Sequence, residues 1–150
     1  MTAFAWDESY SVGVDELDRQ HRGLLQATAG LAAAMRESAG RRVVGQVVSE
    51  LAWYAREHFL AEERLMAQWR FPGLDEHRAE HERFARRLGY FSCGLQLSKP
   101  GVDRELLDFL QEWLRHHLLG LDQRYAEHAR RLAREEALLA AVTSALAGPA

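Results

Sequence analysis

Two short pairs of potential metal ligands lie close together in the middle of the chain. His58 and Glu62 are four residues apart, and so are His77 and His81. On a helix, residues at i and i+4 project from the same face, so each pair can point at a single ion. The stretch 71–73, Phe-Pro-Gly, lies between the pairs and predicts a helix end and a turn. We therefore expect two antiparallel helices that each present two ligands.

Three further candidates, His21, His117 and Asp122, lie in flanking segments with helical periodicity. A single histidine on an apolar helix face is more often a hydrogen-bonded core residue than a ligand. Here five imidazoles and a carboxylate fall on predicted inner faces, and burying them without partners would cost several kcal/mol. Metal binding removes that cost, because the ligand lone pairs are then used directly. The joint pattern therefore favours a metal site.

The size of this ligand set indicates the kind of metal site. Five imidazoles and two carboxylates exceed the four ligands of a tetrahedral zinc. They suit two metal ions that share carboxylates, and a mixture of imidazole and carboxylate ligands fits iron. The ferritin-type di-iron bundles use Glu-x-x-His motifs, and this sequence has none. The pattern thus predicts a pair of metal ions with more imidazole ligands than the ferritin type has.

The elements that must position these ligands are amphipathic helices. Apolar residues recur at three and four residues over about 15–40, 42–69, 74–98 and 103–122, and Asp15 is a plausible N-cap with an acid at Asp18. Residues 1–14 lack a helical period and are expected to form an extended arm with aromatic residues over one end of the bundle. The predicted fold class is all-α: an up-down four-helix bundle of one domain (1–150), with an N-terminal extended arm (1–14), the bundle (15–122) and a C-terminal helical extension (123–150).

The spacing within the last ligand pair raises a question of helical register. His117 and Asp122 are five residues apart, which is about 140° around an ideal helix. Either a π-bulge loosens this turn or Asp122 reaches in from the flank, and Gly120 would ease the distortion. His116 adjoins His117, and neighbours on a helix cannot both point inward. Periodicity leaves the choice between these two histidines open.

Composition excludes several other classes. The chain has 150 residues and a formal net charge of −3, with no basic face, so nucleic acid is not an expected partner. No apolar run approaches the roughly 20 residues of a membrane span, and the N-terminus does not resemble a signal peptide. The single cysteine, Cys93, fits a reducing compartment, so the expected location is cytoplasmic. We expect Cys93 to be a buried or partly buried thiol, Trp53 to be a packing residue and His128 to lie on the surface.

The ligand pattern as a whole resembles that of the hemerythrins, and among them the single-domain bacterial members. The order is His21, then His58-x-x-x-Glu62, then His77-x-x-x-His81, then His117-x-x-x-x-Asp122. Supporting stretches are Val12-Gly13-Val14-Asp15, Asp18-Arg19-Gln20-His21, Glu62-Glu63-Arg64-Leu65-Met66 and Asp122-Gln123-Arg124-Tyr125. The resemblance covers about residues 4–128 and selects His117 over His116.

The resemblance implies a cofactor of two iron ions, a non-haem di-iron centre with an oxo or hydroxo bridge. Carried over by position, one iron would be held by His77, His81 and His117. The other would be held by His21 and His58 and would keep an open position. Glu62 and Asp122 would bridge the two ions. The family pattern also implies an apolar O2 pocket around the open iron, formed by Leu24, Phe59, Trp113, Leu114 and Leu118.

The implied function is reversible O2 binding for storage or delivery, or for sensing, and not catalysis. The alternatives are a di-iron enzyme or scavenger acting on peroxide, O2 or NO, and an iron-donating repair protein. Expected partners are O2 and, for delivery, an oxygen-using enzyme. The periodic segment after Asp122 either continues the fourth helix or forms a fifth one. The alternatives for its apolar stripe are to fold back onto the bundle, to pair with another subunit or to dock on a partner protein, and we expect packing within the chain or self-association.

Overall fold

The computed structural model describes residues 4–149. Its helices are α1 (Asp15–Arg36), α2 (Arg41–Gln68), α3 (Leu74–Gln96), α4 (Val102–His116) and α5 (Asp122–Ala147), with a π-helical turn (His117–Leu121) between α4 and α5 and a short 3-10 turn (Glu8–Tyr10) before α1. Each helix from α1 to α4 packs against the next, and α1 also packs against α4. This closed order of neighbours is that of an up-down bundle. The predicted all-α four-helix bundle is confirmed.

The interior is formed by the apolar stripes that the periodicity predicted. The larger cluster of buried side chains runs through α1 to α4 and includes Leu31, Leu51, Phe91 and Leu106, each at most 1% exposed. Burying a large aliphatic or aromatic side chain contributes about 1.5–3 kcal/mol. The bundle is therefore stabilised mainly by this apolar core, and a second, smaller buried cluster adds to it.

Three of the helices end in the same way, with a residue other than glycine in the left-handed region. Ser38, Arg70 and Ser98 have φ values of 53°, 51° and 57°. The next backbone N–H in each case bonds to a carbonyl five residues earlier, as Phe71 does to Met66 at 2.9 Å. This is the Schellman arrangement, which satisfies carbonyls at a helix end. The helices consequently end four or five residues before the glycine and proline signals that predicted their ends.

The N-terminal arm is anchored by Asp18 and not by a capping box. Helix α1 begins at Asp15 after Val14, which makes no side-chain cap, so the prediction of Asp15 as N-cap is wrong. The buried carboxylate of Asp18 accepts hydrogen bonds from the Val12 backbone N–H at 2.8 Å and from the Ser11 hydroxyl at 2.5 Å. These bonds hold the arm against the ligand end of the bundle. Its first three residues lie outside the described part of the chain.

The chain after α4 forms a continuation of the fourth helix, and it leaves the bundle. Tyr125 and Ala126 are completely buried, but every residue from 133 to 149 is exposed. The predicted C-terminal helical extension is therefore present. The expectation that its apolar stripe packs within the chain is wrong beyond Leu132, because no other described element covers that part. Among the described residues, no helix is both long and apolar enough to cross a membrane.

Candidate metal centre

All seven side chains singled out from the sequence meet inside one end of the bundle. Helix α1 contributes one, α2 and α3 contribute two each, the π turn contributes one and α5 one. Each is at most 3% exposed: His21, His58, Glu62, His77, His81, His117 and Asp122. The i, i+4 spacing places both members of each pair on the inner face, as expected from helix geometry.

Glu62 lies between two groups of imidazoles. Its Oε1 is 3.3 Å from His21 Nε2 and 3.4 Å from His58 Nε2. Its Oε2 faces the opposite way, at 3.1 Å from His81 Nε2 and 3.5 Å from His77 Nε2. One carboxylate oxygen therefore faces each group. This is the arrangement that a carboxylate shared by two cations requires.

Asp122 repeats this arrangement from the other side of the cluster. Its Oδ2 is 3.2 Å from His21 Nε2, and its Oδ1 is 2.9 Å from His117 Nε2 and 3.4 Å from His77 Nε2. The π turn makes this possible, since the Asp122 N–H bonds to the His117 carbonyl five residues earlier. A π turn adds a residue to the helical repeat, which brings both side chains onto the inner face. Of the two alternatives that the spacing left open, the structure therefore has the π-bulge.

The ligand atoms approach one another closely but do not pair well. Several lie within 2.9–3.5 Å of a partner, yet six buried atoms make no hydrogen bond of acceptable geometry within the described residues: His21 Nδ1, Glu62 Oε2, His77 Nε2, His117 Nδ1, Asp122 Oδ1 and Asp122 Oδ2. All but the two Nδ1 atoms face the cluster, where lone pairs that converge on a common point cannot hydrogen-bond to one another. Buried polar groups in native proteins are almost always satisfied. The donor set thus fits metal ions.

The same ligand atoms fall into two sets able to hold a cation. One set is Glu62, His77, His81 and His117, and the other is His21, His58 and Glu62; within each set the ligand atoms lie within 4.8 Å of one another. Glu62 belongs to both, and Asp122 contacts histidines of both. Imidazole and carboxylate ligands in this ratio suit iron.

Without metal, the cluster balances its own charge by holding protons. Burial alone would lower the pKa of His21, but hydrogen bonding to Asp122 and Glu62 and their negative charge raise it to about 10. Burial likewise opposes the positive charge of His117, and the charge of Asp122 raises its pKa to about 9. Burial lowers the pKa of His58. Burial would raise the pKa values of Glu62 and Asp122, but the surrounding histidines keep both below their ordinary values. Two protons therefore occupy a site where cations would bind.

Three outer contacts of the cluster were not predicted from the sequence. The side-chain oxygen of Gln20 lies 2.8 Å from His58 Nδ1, and a carboxylate oxygen of Glu63 lies 2.8 Å from His81 Nδ1. The buried Tyr125 hydroxyl donates to Glu62 Oε1 at 2.5 Å. Hydrogen bonds of this kind orient metal ligands. The sequence indicated Gln20, Glu63 and Tyr125 only through their position, because each lies close to a ligand in one of the stretches that resemble the family.

The five predicted O2-pocket residues are apolar. Leu24, Phe59, Leu114 and Leu118 lie in the core cluster, and the partly buried Trp113 packs against it. Phe59 stacks on the His81 ring at a centroid distance of 3.9 Å, and Trp113 stacks on His117 at 4.2 Å. These two aromatic residues thus cover two of the three histidines of the larger ligand set, whereas the pocket was expected around the smaller set. A groove-like cavity of about 410 Å³ between α2 and α3 reaches Phe59 and His81.

Four residues that the sequence places outside the cluster are all outside it, but three of them differ from expectation. His116 is exposed beside the buried His117, in agreement with the choice that the resemblance made. His128 is only partly exposed, and its Nε2 lies 2.8 Å from the carbonyl oxygen of Trp69 at the end of α2. Cys93 is exposed, not partly buried. Trp53 is 66% exposed and is not an interior residue.

The fold and the site define a class: an all-α bundle with a buried histidine and carboxylate centre for two cations. The hemerythrin HHE cation-binding-domain family model matches residues 12–129. A bacteriohemerythrin of Stenotrophomonas maltophilia is 32% identical over 90% of each chain. A myohemerythrin of Riftia pachyptila is 31% identical, over 81% of this chain and 90% of its own. The chain therefore belongs to the hemerythrin family.

A solved structure agrees with the fold. The crystal structure of a leucine-to-phenylalanine mutant of another protein superposes with a TM-score of 0.77 at 20% identity, and the match covers 85% of this chain and 97% of the other. At this identity the likeness concerns the fold alone. Membership of the family gives the cofactor class, since the hemerythrin domain binds a di-iron centre, and its members bind O2 at non-haem iron.

Proposed function

We propose that this protein binds O2 reversibly at its di-iron centre and serves in oxygen storage or delivery, without catalytic turnover. The observation that carries the proposal is the position of Glu62 and Asp122, each with one oxygen toward each group of histidines. His77, His81 and His117 would hold one iron, and His21 and His58 would hold the other. The second set has one histidine fewer, which favours an open coordination position there.

When bound, a ferrous pair would supply the open position and the electrons for O2 capture. The protein's part is to orient the ligands and to keep water out. Leu114 and Leu118, at 4% and 2% exposure, and Phe59, at 6%, form an apolar wall beside the cluster. An apolar wall admits a small uncharged molecule and offers no hydrogen bond to water. These properties support carriage over hydrolytic or acid–base chemistry.

The direct test follows the visible spectrum of the iron-loaded, anaerobically reduced protein. We expect a coloured form when air is admitted, its loss when the solution is sparged with inert gas, and its return with air. His117→Ala should abolish this cycle and lower the iron content below two per chain. His116→Ala is the matched control, since its side chain is exposed one residue away. Steady turnover of peroxide or NO with a reductant, in place of the cycle, would refute carriage and support the enzymatic alternative.

The proposal also concerns the surface formed by the exposed part of α5. Leu138, Leu139, Val142 and Leu146 are 47–83% exposed, and residues 137–147 include no charged side chain. We propose that this segment mediates self-association, because an exposed apolar helix face is otherwise unfavourable in water. Leu139→Glu should then convert the dimer or higher oligomer to monomer in light scattering after gel filtration. A monomeric parent protein would refute this, and would leave the segment for an oxygen-using partner enzyme.

The proposed location is the cytoplasm. Cys93 is an exposed free thiol, and such a thiol persists in a reducing compartment. Fractionation of cells that produce the tagged protein would check this, and recovery from an oxidising compartment would contradict it.

A further inference from the structure

The two groups of histidines differ in the charge of their outer hydrogen-bond partners. His81 Nδ1 is 2.8 Å from the carboxylate of Glu63, whereas His58 Nδ1 is 2.8 Å from the neutral amide oxygen of Gln20. His21 Nδ1 is buried and makes no hydrogen bond within the described residues. The larger set therefore has an ionic partner behind one of its ligands, while the partners of the smaller set are neutral or absent.

Glu63 is held in place from its far side. Its Oε2 accepts a hydrogen bond from Arg78 Nε at 3.1 Å. The two oxygens of Glu63, which lies on α2, therefore contact two side chains of α3, those of Arg78 and His81. The side chain is only 16% exposed, and Arg78 is 45% exposed. A carboxylate fixed between two donors has little freedom to rotate away. The Nδ1–H of His81 consequently has a fixed acceptor, and the Nε2 lone pair points at the cluster.

The chemical effect of such a pair is known in general terms. A carboxylate that accepts the outer N–H of a ligand histidine fixes the tautomer and raises the basicity of the ring. A neutral amide fixes the tautomer with less electron donation, since it carries no charge. A more basic ligand stabilises the more highly charged oxidation state of the metal. The structure thus gives the two halves of the centre unequal electron donation.

We propose that Glu63, fixed by Arg78, is a positioning residue that orients His81 and biases the iron held by the larger set toward the ferric state. The inference rests on the metal assignment of the proposed function. It assigns to Glu63 a role separate from that of its neighbour Glu62. Glu63 lies along the groove between α2 and α3, where its carboxylate pairs with His81 and Arg78.

The test uses the iron-loaded full chain and two measured quantities, the iron content per chain and the reduction midpoint potential. Glu63→Gln keeps an oxygen acceptor for His81 and removes the charge. We expect iron affinity to fall about tenfold and the midpoint potential to rise. A tenfold change in the ferric-to-ferrous ratio corresponds to about 59 mV for one electron. Glu82→Gln is the matched control, since Glu82 lines the same groove and is exposed, and its side chain makes no hydrogen bond to His81 among the described residues.

The outcomes separate this inference from the proposed function. If wild-type protein does not hold two irons, the metal assignment fails. If wild type holds them and the Glu63→Gln and Glu82→Gln potentials coincide, only the role of Glu63 is overturned. If Glu63→Gln cannot retain iron, the reciprocal variant Gln20→Glu decides, because placing a charge behind His58 should lower the potential. An unchanged potential in that variant would overturn the inference as well.

Discussion

Removal of the metal should destabilise the protein strongly, because the cluster then contains unsatisfied buried atoms. Four such atoms face the cluster, namely Glu62 Oε2, His77 Nε2, Asp122 Oδ1 and Asp122 Oδ2, and each unsatisfied buried group costs about 1–3 kcal/mol. The lower end of that range already gives a cost of about 4 kcal/mol, which is a large part of the stability of an ordinary domain, about 5–15 kcal/mol. Protons on His21 and His117 offset part of this cost. We expect the metal-free form to lose on the order of 3 kcal/mol in the free energy of unfolding.

The decisive comparison replaces a ligand by an apolar residue. His77 is 2% exposed and its Nε2 has no hydrogen bond. His77→Leu removes a buried group that is unsatisfied without metal, and such a group costs about 1–3 kcal/mol. We therefore expect opposite signs: the variant should be more stable than wild type without iron and less stable when iron is supplied.

The assay is urea unfolding followed by far-ultraviolet circular dichroism, with and without iron. Thr28→Val is the control, since the buried Thr28 hydroxyl donates to the Leu24 carbonyl at 2.8 Å and does not contact the cluster. Its cost should be the same in both forms. The reasoning fails if metal-free His77→Leu is less stable than metal-free wild type, or if iron leaves the wild-type unfolding midpoint unchanged.

Three further predictions follow from single contacts and from the proton count. His21 and His117 have raised pKa values, about 10 and about 9. Their protonated forms therefore stabilise the metal-free fold fully below about pH 6.5, and this contribution is lost as the pH rises toward 9–10. Urea midpoints of metal-free protein between pH 6 and 10 would check this, and a midpoint rising over that range would contradict it. Tyr125→Phe removes the donor to Glu62 and should cost about 1.5–3 kcal/mol in metal-free protein; an unchanged urea midpoint would exclude that bond. Leu114→Ala opens the apolar wall and should accelerate autoxidation of the oxygenated form, as followed by its visible absorbance, and an equal decay rate would remove Leu114 from that role.

The sequence predicted the inward-facing side chains well and the contacts around them poorly. A hydrophobic period of 3.6 is enough to place His58 and Glu62 on one face, because helix geometry fixes their direction. It says nothing about Glu63, which points away from that face, because its rotamer and its partner Arg78 depend on how α2 and α3 pack. Trp53 shows the converse error, since an aromatic residue near an apolar stripe is expected in the interior and is here 66% exposed.

Helix ends were the other feature that composition could not place. The sequence offers Gly40 and Phe71-Pro72-Gly73 as stop signals, but the turns are made by residues with side chains in the left-handed region, such as Ser38 and Arg70. A residue of that kind costs about 1–2 kcal/mol relative to the right-handed conformation. It is tolerated because the Schellman bonds and the packing of the helices fix the turn. Local propensity was therefore overridden by the tertiary structure.

The π turn connects the fold to the site in a way that neither motif nor packing alone explains. A regular helix through residues 117–122 would direct Asp122 about 140° away from His117, and the carboxylate would miss the cluster. The extra residue in the turn brings it back, and the side-chain amide of Gln123 donates to the Leu118 carbonyl at 2.9 Å within that turn. The same adjustment sets the register of α5, so that Tyr125 is completely buried with its hydroxyl on Glu62. The π turn thus positions the carboxylate of Asp122, and it also positions the Tyr125 hydroxyl, which orients the carboxylate of Glu62.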